Sequence, residues 1–113
     1  MPYIQIRSNK EISKDKELSI KAKLGDAITI VGKSESWLMV EFVDKAKLYF
    51  KGQDSEDIAY VDVKLYGGSS PDNYREMTKT ICNILNEDLN ISPGNVYVSY
   101  GEYSNWGWNG NNF

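Results

Sequence analysis

The chain has 113 residues, a formal net charge of −3, one cysteine and no histidine. That length supports one domain (1–113) with one core, and ordinary apolar content with well-mixed charge excludes disordered, collagen-like and disulfide-rich classes. Scattered Lys and Arg in an acidic background argue against nucleic acid or a membrane as the main partner, and a lone cysteine without histidine leaves neither an internal disulfide nor a zinc site.

Met1-Pro2 opens the chain, and a small second residue favours removal of the initiator Met. Pro2 would then carry a free secondary amine. An α-amino group titrates near ~7.7–8.0 in model compounds, so modest burial brings it into the range of a general base. No other residue in this histidine-free sequence offers the same chemistry. Met-Pro is also an ordinary way to begin, so its meaning depends on whether the chain builds a pocket around that nitrogen. Pro2 to Arg7 alternates, with Ile4 and Ile6 against Tyr3, Gln5 and Arg7, which predicts a half-buried strand. Pro2 shares parity with the two Ile residues and leans to the apolar side.

A polar stretch, Ser8 to Lys16, leads into a helix. Ile20, Leu24, Ala27, Ile28 and Val31 recur at helical spacing, with Leu18, Ala22 and Ile30 widening the stripe. Ser13 is the expected N-cap and Gly32 the stop. Gly25 within the helix costs roughly 1 kcal/mol against Ala. Lys33, just past the stop, is on its own a solvated charge that suits the helix dipole. Trp37 to Asp44 alternates again, with Leu38, Val40 and Phe42 on the apolar side. Lys45 to Asp57 is a connection in which Leu48, Tyr49 and Phe50 are expected as a short edge strand. Ala59, Val61, Val63 and Leu65 then mark one face of a third strand.

Gly67-Gly68-Ser69-Ser70-Pro71 ends that strand and starts a second helix, with Ser70 as N-cap and Pro71 at the first helical position. Tyr74, Met77, Ile81, Ile84, Leu85 and Leu89 form its buried stripe. Cys82 lies at the margin of the stripe, as a packed thiol rather than a reactive one. Ile91 to Gly94 is a turn, and Asn95 to Glu102 a fourth strand. The tail, Tyr103 to Phe113, places Trp106, Trp108 and Phe113 in a Gly/Asn-rich segment with no strand or helix period. Those rings find burial either on their own domain or across a neighbour's sheet edge.

The element order predicts an α/β (α+β) two-layer sandwich: a tandem β-α-β repeat giving a four-stranded sheet with two helices on one face. The other face carries Gln5, Glu41, Asp62, Lys64 and Ser99, too polar for a second core. No apolar run resembles a leader or spans a bilayer, which makes the cytoplasm the expected address.

Taken together, these residues resemble the macrophage migration inhibitory factor (MIF) family of the tautomerase superfamily. The resemblance rests on Met1-Pro2 before an alternating strand, on Gly32-Lys33 closing the first helix and on Gly67-Gly68 before the second. It rests most on the run Ile91-Ser92-Pro93, Val96-Tyr97 and Trp106-Gly107-Trp108-Asn109 to Phe113. It spans essentially the whole chain, with small shifts around Lys51 to Asp57.

The resemblance implies a homotrimer with active sites at subunit interfaces and no cofactor or metal. It implies tautomerisation of small α-keto acids such as phenylpyruvate, with Pro2 as catalytic acid and base. Lys33 falls where the family holds the substrate carboxylate, and Val63 where a backbone amide contacts substrate. Tyr97 and Ser99 fall where the adjacent subunit closes the site. Tyr3, Trp37, Trp108 and Phe113 fall on the pocket wall. Two departures matter: Ser99 replaces the Asn of vertebrate members, and the Cys-x-x-Cys of some members is absent from Ser55 to Ala59, so redox activity is not expected. The alternative reading is a cytokine-like or ligand-binding trimer with a vestigial site. Related proteins leave cells without signal peptides, so a secreted form would add a protein receptor as partner.

Overall fold

Strand β1 (Pro2–Ser8) buries every second side chain, and that alternation sets which way the sheet faces. The computed structural model describes residues Met1–Phe113. Helix α1 (Lys14–Ala27) starts at Ser13, whose hydroxyl accepts from the Lys16 amide. Its last turn tightens into a 3₁₀ segment, Ile28–Val31, ended by Gly32 at φ +78°. The expected stop is therefore correct, but the final turn is 3₁₀ rather than α. Strand β2 (Met39–Val43) follows a short 3₁₀ turn, Glu35–Trp37. Trp37 thus precedes the strand instead of opening it.

Strand β3 (Ala59–Tyr66) leads to helix α2 (Pro71–Leu89), and strand β4 (Val96–Tyr103) follows. Ser70 caps α2 through the Asn73 amide, and Asn90 ends the helix in the left-handed region. The sheet order is β2-β1-β3-β4. β1 pairs β2 in parallel and β3 antiparallel, while β3 pairs β4 in parallel. Each parallel pair is joined through a helix, giving the two predicted β-α-β units.

Both helices lie on the face bearing Ile4, Ile6, Val61, Val63 and Leu65, and these residues are fully buried. The helices are clasped at their polar flanks, where Asp88 accepts from Ser19 at 2.8 Å and from Lys23 at 2.9 Å. Burial alone would raise the Asp88 carboxyl, but the bonds from Lys23 and Ser19 hold it below its ordinary value. Gly25 is buried in α1, and a Cβ there would lie 2.0 Å from a Glu35 carboxylate oxygen. The glycine that weakens the helix is the place where the Glu35 side chain lies.

Two expectations are corrected. Leu18 and Ala22 do not join the core; both are exposed, because they lie outside the stripe that faces the sheet. Leu48 to Phe50 form no edge strand: Lys51 adopts φ +54° and only an isolated bridge, Phe50 to Gln53, forms. The tail, in which no strand period is legible, contains a small hairpin of β5 (Gly107–Trp108) and β6 (Asn111–Asn112). No helix is long and apolar enough to cross a membrane.

Ile81, fully buried in α2, and Cys82, half-exposed beside it, provide a stability test. Ile81→Ala is expected to destabilise by about 2–5 kcal/mol in chemical denaturation, through lost burial and a residual cavity. Cys82→Ala should fall well below that range. Equal losses would mean that the margin position is packed as tightly as the core.

Candidate active site

The amino end of β1 is held by the backbone of one residue on the adjacent strand. Pro2 is buried and stands opposite Leu65. One step further out, the Tyr66 amide donates to the Met1 carbonyl at 2.9 Å. The Tyr66 carbonyl in turn accepts from Lys33 Nζ at 2.9 Å. Gly67 then turns the chain at φ +77°, and a Cβ placed there would lie 3.9 Å from Lys33 Nζ. Its amide donates to Tyr103 O at 2.8 Å. The chain start, the residue closing α1 and the end of β3 therefore meet at one point.

That meeting point has electrostatic consequences. The α-amine of Met1 is pushed below its ordinary value, first by burial and then by the positive charge of Lys33. Both causes favour the neutral amine, the form that accepts a proton. Among the sequence candidates, Lys33 thus acts on the amine of Met1, the residue before Pro2, and both residues are tied to Tyr66.

An aromatic wall stands beside them. Trp108 meets the edge of Trp37 with centroids 4.9 Å apart. Phe113 stacks on Trp108 at 6.3 Å and reaches Tyr66 at 5.5 Å. The hairpin of β5 and β6 presents two of these rings, and its closure is helped by the Phe113 amide donating to Trp106 O at 3.1 Å. Trp37, Trp108 and Phe113 each remain about half-exposed. Large rings left half-exposed in this way supply apolar contact area that one chain does not cover. The tail thus folds back on its own domain.

Four candidates lie elsewhere in the single chain. Val63 is buried in the sheet interior with its side chain in the core; the backbone donor at the chain start is Tyr66. Tyr97 and Ser99 lie beside Tyr60 and Asp62 in register, which are five and three residues along β3 from the partner of Pro2, or roughly 17 and 10 Å of strand. Tyr97 packs edge-on to Phe50 at 5.0 Å, and the Ser99 hydroxyl meets Tyr60 at 2.6 Å. Tyr3 has the opposite parity to Pro2 and lies on the polar sheet face. There its hydroxyl bonds Glu41, alongside the Gln5 amide at 2.8 Å. The bond to Glu41 is the first cause that pushes the Tyr3 phenol up to about 12. No cluster of three or more His, Cys, Asp or Glu side chains could hold a metal ion.

Tyr66 is the residue that sequence reasoning missed. Its contribution is largely backbone, which residue type does not announce. The available signal was position: it is the last residue before Gly67-Gly68 and directly follows the partner of Pro2.

Comparison with known proteins identifies the family and the fold. The profile of the family described as Macrophage migration inhibitory factor (MIF) matches residues 1–113, and the chain belongs to that family. It is 31% identical to macrophage migration inhibitory factor of Rattus norvegicus over 84 residues, covering 73% of this chain and 72% of that one. The crystal structure of Leishmania major MIF2 superposes with a TM-score of 0.93 at 30% identity, covering 100% of this chain and 97% of the other. The fold also matches Pt0534, solved in a form inactivated by 2-oxo-3-pentynoate, with a TM-score of 0.85 at 17% identity over 96% of this chain and 93% of that one. The MIF family and fold include tautomerase-type members.

The two causes acting on the terminal amine are separable. In Lys33→Met the like charge is gone but burial remains. The amine pKa, read by competitive acetylation with acetic anhydride across pH, should rise towards its ordinary value without reaching it. No change would mean that Lys33 does not act on the amine.

Proposed function

We propose that this member of the MIF family is a keto–enol tautomerase of phenylpyruvate-like α-keto acids, working as a homotrimer after removal of Met1. The observation that carries this reading is the position of the chain start: Pro2 is buried, and the Met1 amine just before it is pushed towards its neutral form by burial and by the charge of Lys33. Pro2 is more buried than Met1, so the amine uncovered by processing is expected to feel the stronger desolvation.

Removal of Met1 does more than free a nitrogen. The Met1 carbonyl, one bond from Pro2 N, is the acceptor of the Tyr66 amide. Its departure leaves that N–H as a donor beside the new amine. A substrate oxygen entering there meets Tyr66 N–H and finds Lys33 Nζ on the carbonyl of the same residue. The substrate carboxylate pairs with Lys33. The neutral Pro2 amine accepts the proton from the carbon next to the ketone while the carbonyl oxygen takes a proton from water. In the ketonisation direction the ammonium returns the proton to carbon. Trp37, Trp108 and Phe113 hold the phenyl group and exclude water.

The trimer reading has its own support. Tyr97 and Ser99 are too far along the sheet to reach Pro2 within one chain, whereas a neighbouring copy can bring its own pair. The edge strands β2 and β4 are both uncovered. A groove of about 650 Å³ runs between α1 and β2, with Leu38, Val40 and Phe42 on its apolar side. An apolar recess of about 100 Å³ lies at the other edge, between Tyr49, Phe50 and Tyr97. Two different surfaces at opposite edges suit a head-to-tail ring.

Mass spectrometry of the isolated protein first establishes whether Met1 is gone. With Pro2 free, phenylpyruvate conversion should be nearly abolished in Pro2→Gly. Lys33→Ala should raise KM roughly tenfold to a hundredfold, the worth of one charge-assisted bond, with a smaller effect on kcat. Equal activity in all three proteins would sink the site assignment. Retained Met1 with ligand binding and no turnover would favour the ligand-binding alternative. The alkynoate 2-oxo-3-pentynoate offers a second probe, with adduct expected on the N-terminal peptide.

Sedimentation tests the assembly. A chain ending before Trp106 should lose trimerisation or activity. A fully active trimer would show that the tail closes neither the ring nor the site.

A further inference from the structure

Asn109 and Gly110 form the turn between β5 and β6. Their φ angles, +54° and +77°, are the positive pair that a two-residue hairpin requires and that Asn-Gly adopts readily. No other asparagine in the chain is followed by glycine. Both residues are exposed, and the Asn109 carboxamide has no hydrogen-bond partner. The nearby Asn111 oxygen, by contrast, accepts the Asn112 amide at 2.9 Å. A Cβ built on Gly110 would meet nothing within 4 Å, so the turn is open on that side. The two strands have two residues each and pair only with one another. A ladder this short opens readily, which lets the turn sample other backbone angles.

We propose that Asn109–Gly110 is a self-modification site, where the Gly110 amide nitrogen attacks the Asn109 carboxamide carbon. A bond forms between that nitrogen and Cγ, the Cγ–Nδ2 bond breaks, and ammonia leaves with the Gly110 amide proton. The cyclic imide then takes up one water, which opens either of its carbonyl–nitrogen bonds. One opening leaves aspartate. The other leaves isoaspartate, in which the main chain runs through the former side chain. Only water is consumed, and nothing is oxidised or reduced. Gly110 favours the attack because it has no side chain to crowd its nitrogen. Asn105, Asn111 and Asn112 are each followed by a larger residue, namely Trp106, Asn112 and Phe113.

Either product puts a new negative charge between Trp108 and Phe113. Isoaspartate also adds a methylene to the main chain of the segment that carries both rings. On the proposed function, this disturbs the wall of a site that must admit a carboxylate, so the turn acts as a timer on substrate binding.

The test ages the whole protein at physiological temperature, at neutral and mildly alkaline pH. Samples are resolved by isoelectric focusing, peptide mapping and isoaspartyl methyltransferase labelling. An acidic species should accumulate with first-order kinetics, and faster at higher pH, because the attacking amide must lose its proton. It should map to Asn109, with isoaspartate exceeding aspartate. Asn109→Gln should stop it and Gly110→Ala should slow it severalfold.

Asn109 remaining intact in aged wild type overturns the proposal. Conversion seen only in urea does the same, because the folded hairpin then protects the turn. So does equal acidification of Asn109→Gln. The mapping is read on wild type, so it does not depend on any variant folding. Absence of turnover in fresh protein bears on the proposed function alone.

Discussion

The candidate site depends on the backbone N–H and C=O of Tyr66. A strand that ends at a sheet margin leaves amides and carbonyls without ladder partners, and buried backbone groups need them. Here the margin of β3 satisfies its groups with the chain terminus on one side and a lysine on the other. Tyr66 N–H holds Met1 O, and Tyr66 O holds Lys33 Nζ. The N–H and C=O of one residue, in the two peptide planes that flank its Cα, thereby set the spacing between the chain start and a cation. Gly67 makes the contact feasible, since the chain must turn with positive φ immediately beside the lysine.

Two environments meet at that margin. Pro2 belongs by parity to the layer between sheet and helices, where side chains are fully buried, and it takes its desolvation from that layer. Tyr3, one residue on, faces the polar side and joins Glu41 and Gln5. A shift of one residue would exchange them. The antiparallel register of Pro2 with Leu65 therefore decides whether the chain start meets an apolar layer or a hydrated one. The charge of Lys33 adds to the desolvation in the same direction, so the amine is pushed towards its neutral form from two independent sources.

Most of the framework was legible in the sequence because period and parity report it directly. Ile4 and Ile6, Val61 to Leu65 and the stripe Met77, Ile81, Leu85 are one-dimensional signals of a two-layer fold. The chemistry of Pro2 was legible from covalent structure alone, and its burial from parity. Trp106, Trp108 and Phe113 were recognisable as rings without an obvious home, but the packing of Trp108 on Trp37 and of Phe113 on Tyr66 was not, since it depends on how a Gly/Asn-rich tail turns. Tyr66 was invisible because backbone groups carry no residue-type signature. The positions of Tyr97 and Ser99 follow from β4 register, while any meeting with Pro2 requires a second chain. The failed edge strand at Leu48 to Phe50 shows the limit of apolar content as a guide when the backbone turns nearby.

The tail unites two requirements that pull against each other. To carry Trp108 and Phe113 to the chain start, it must reverse within two residues, and a tight reversal needs positive φ at both central positions. Asn-Gly meets that need with little strain, since Asn tolerates the left-handed region and Gly has no Cβ. The same dipeptide combines an unhindered amide nitrogen with an adjacent carboxamide, the pairing most open to intramolecular attack. Pairing into the main sheet would suppress the motion that attack requires, yet it would also draw the rings away from Trp37 and Tyr66. A short self-paired hairpin keeps the rings in place and leaves its turn chemically exposed. The geometry that completes the aromatic wall is thus also the geometry that limits its lifetime.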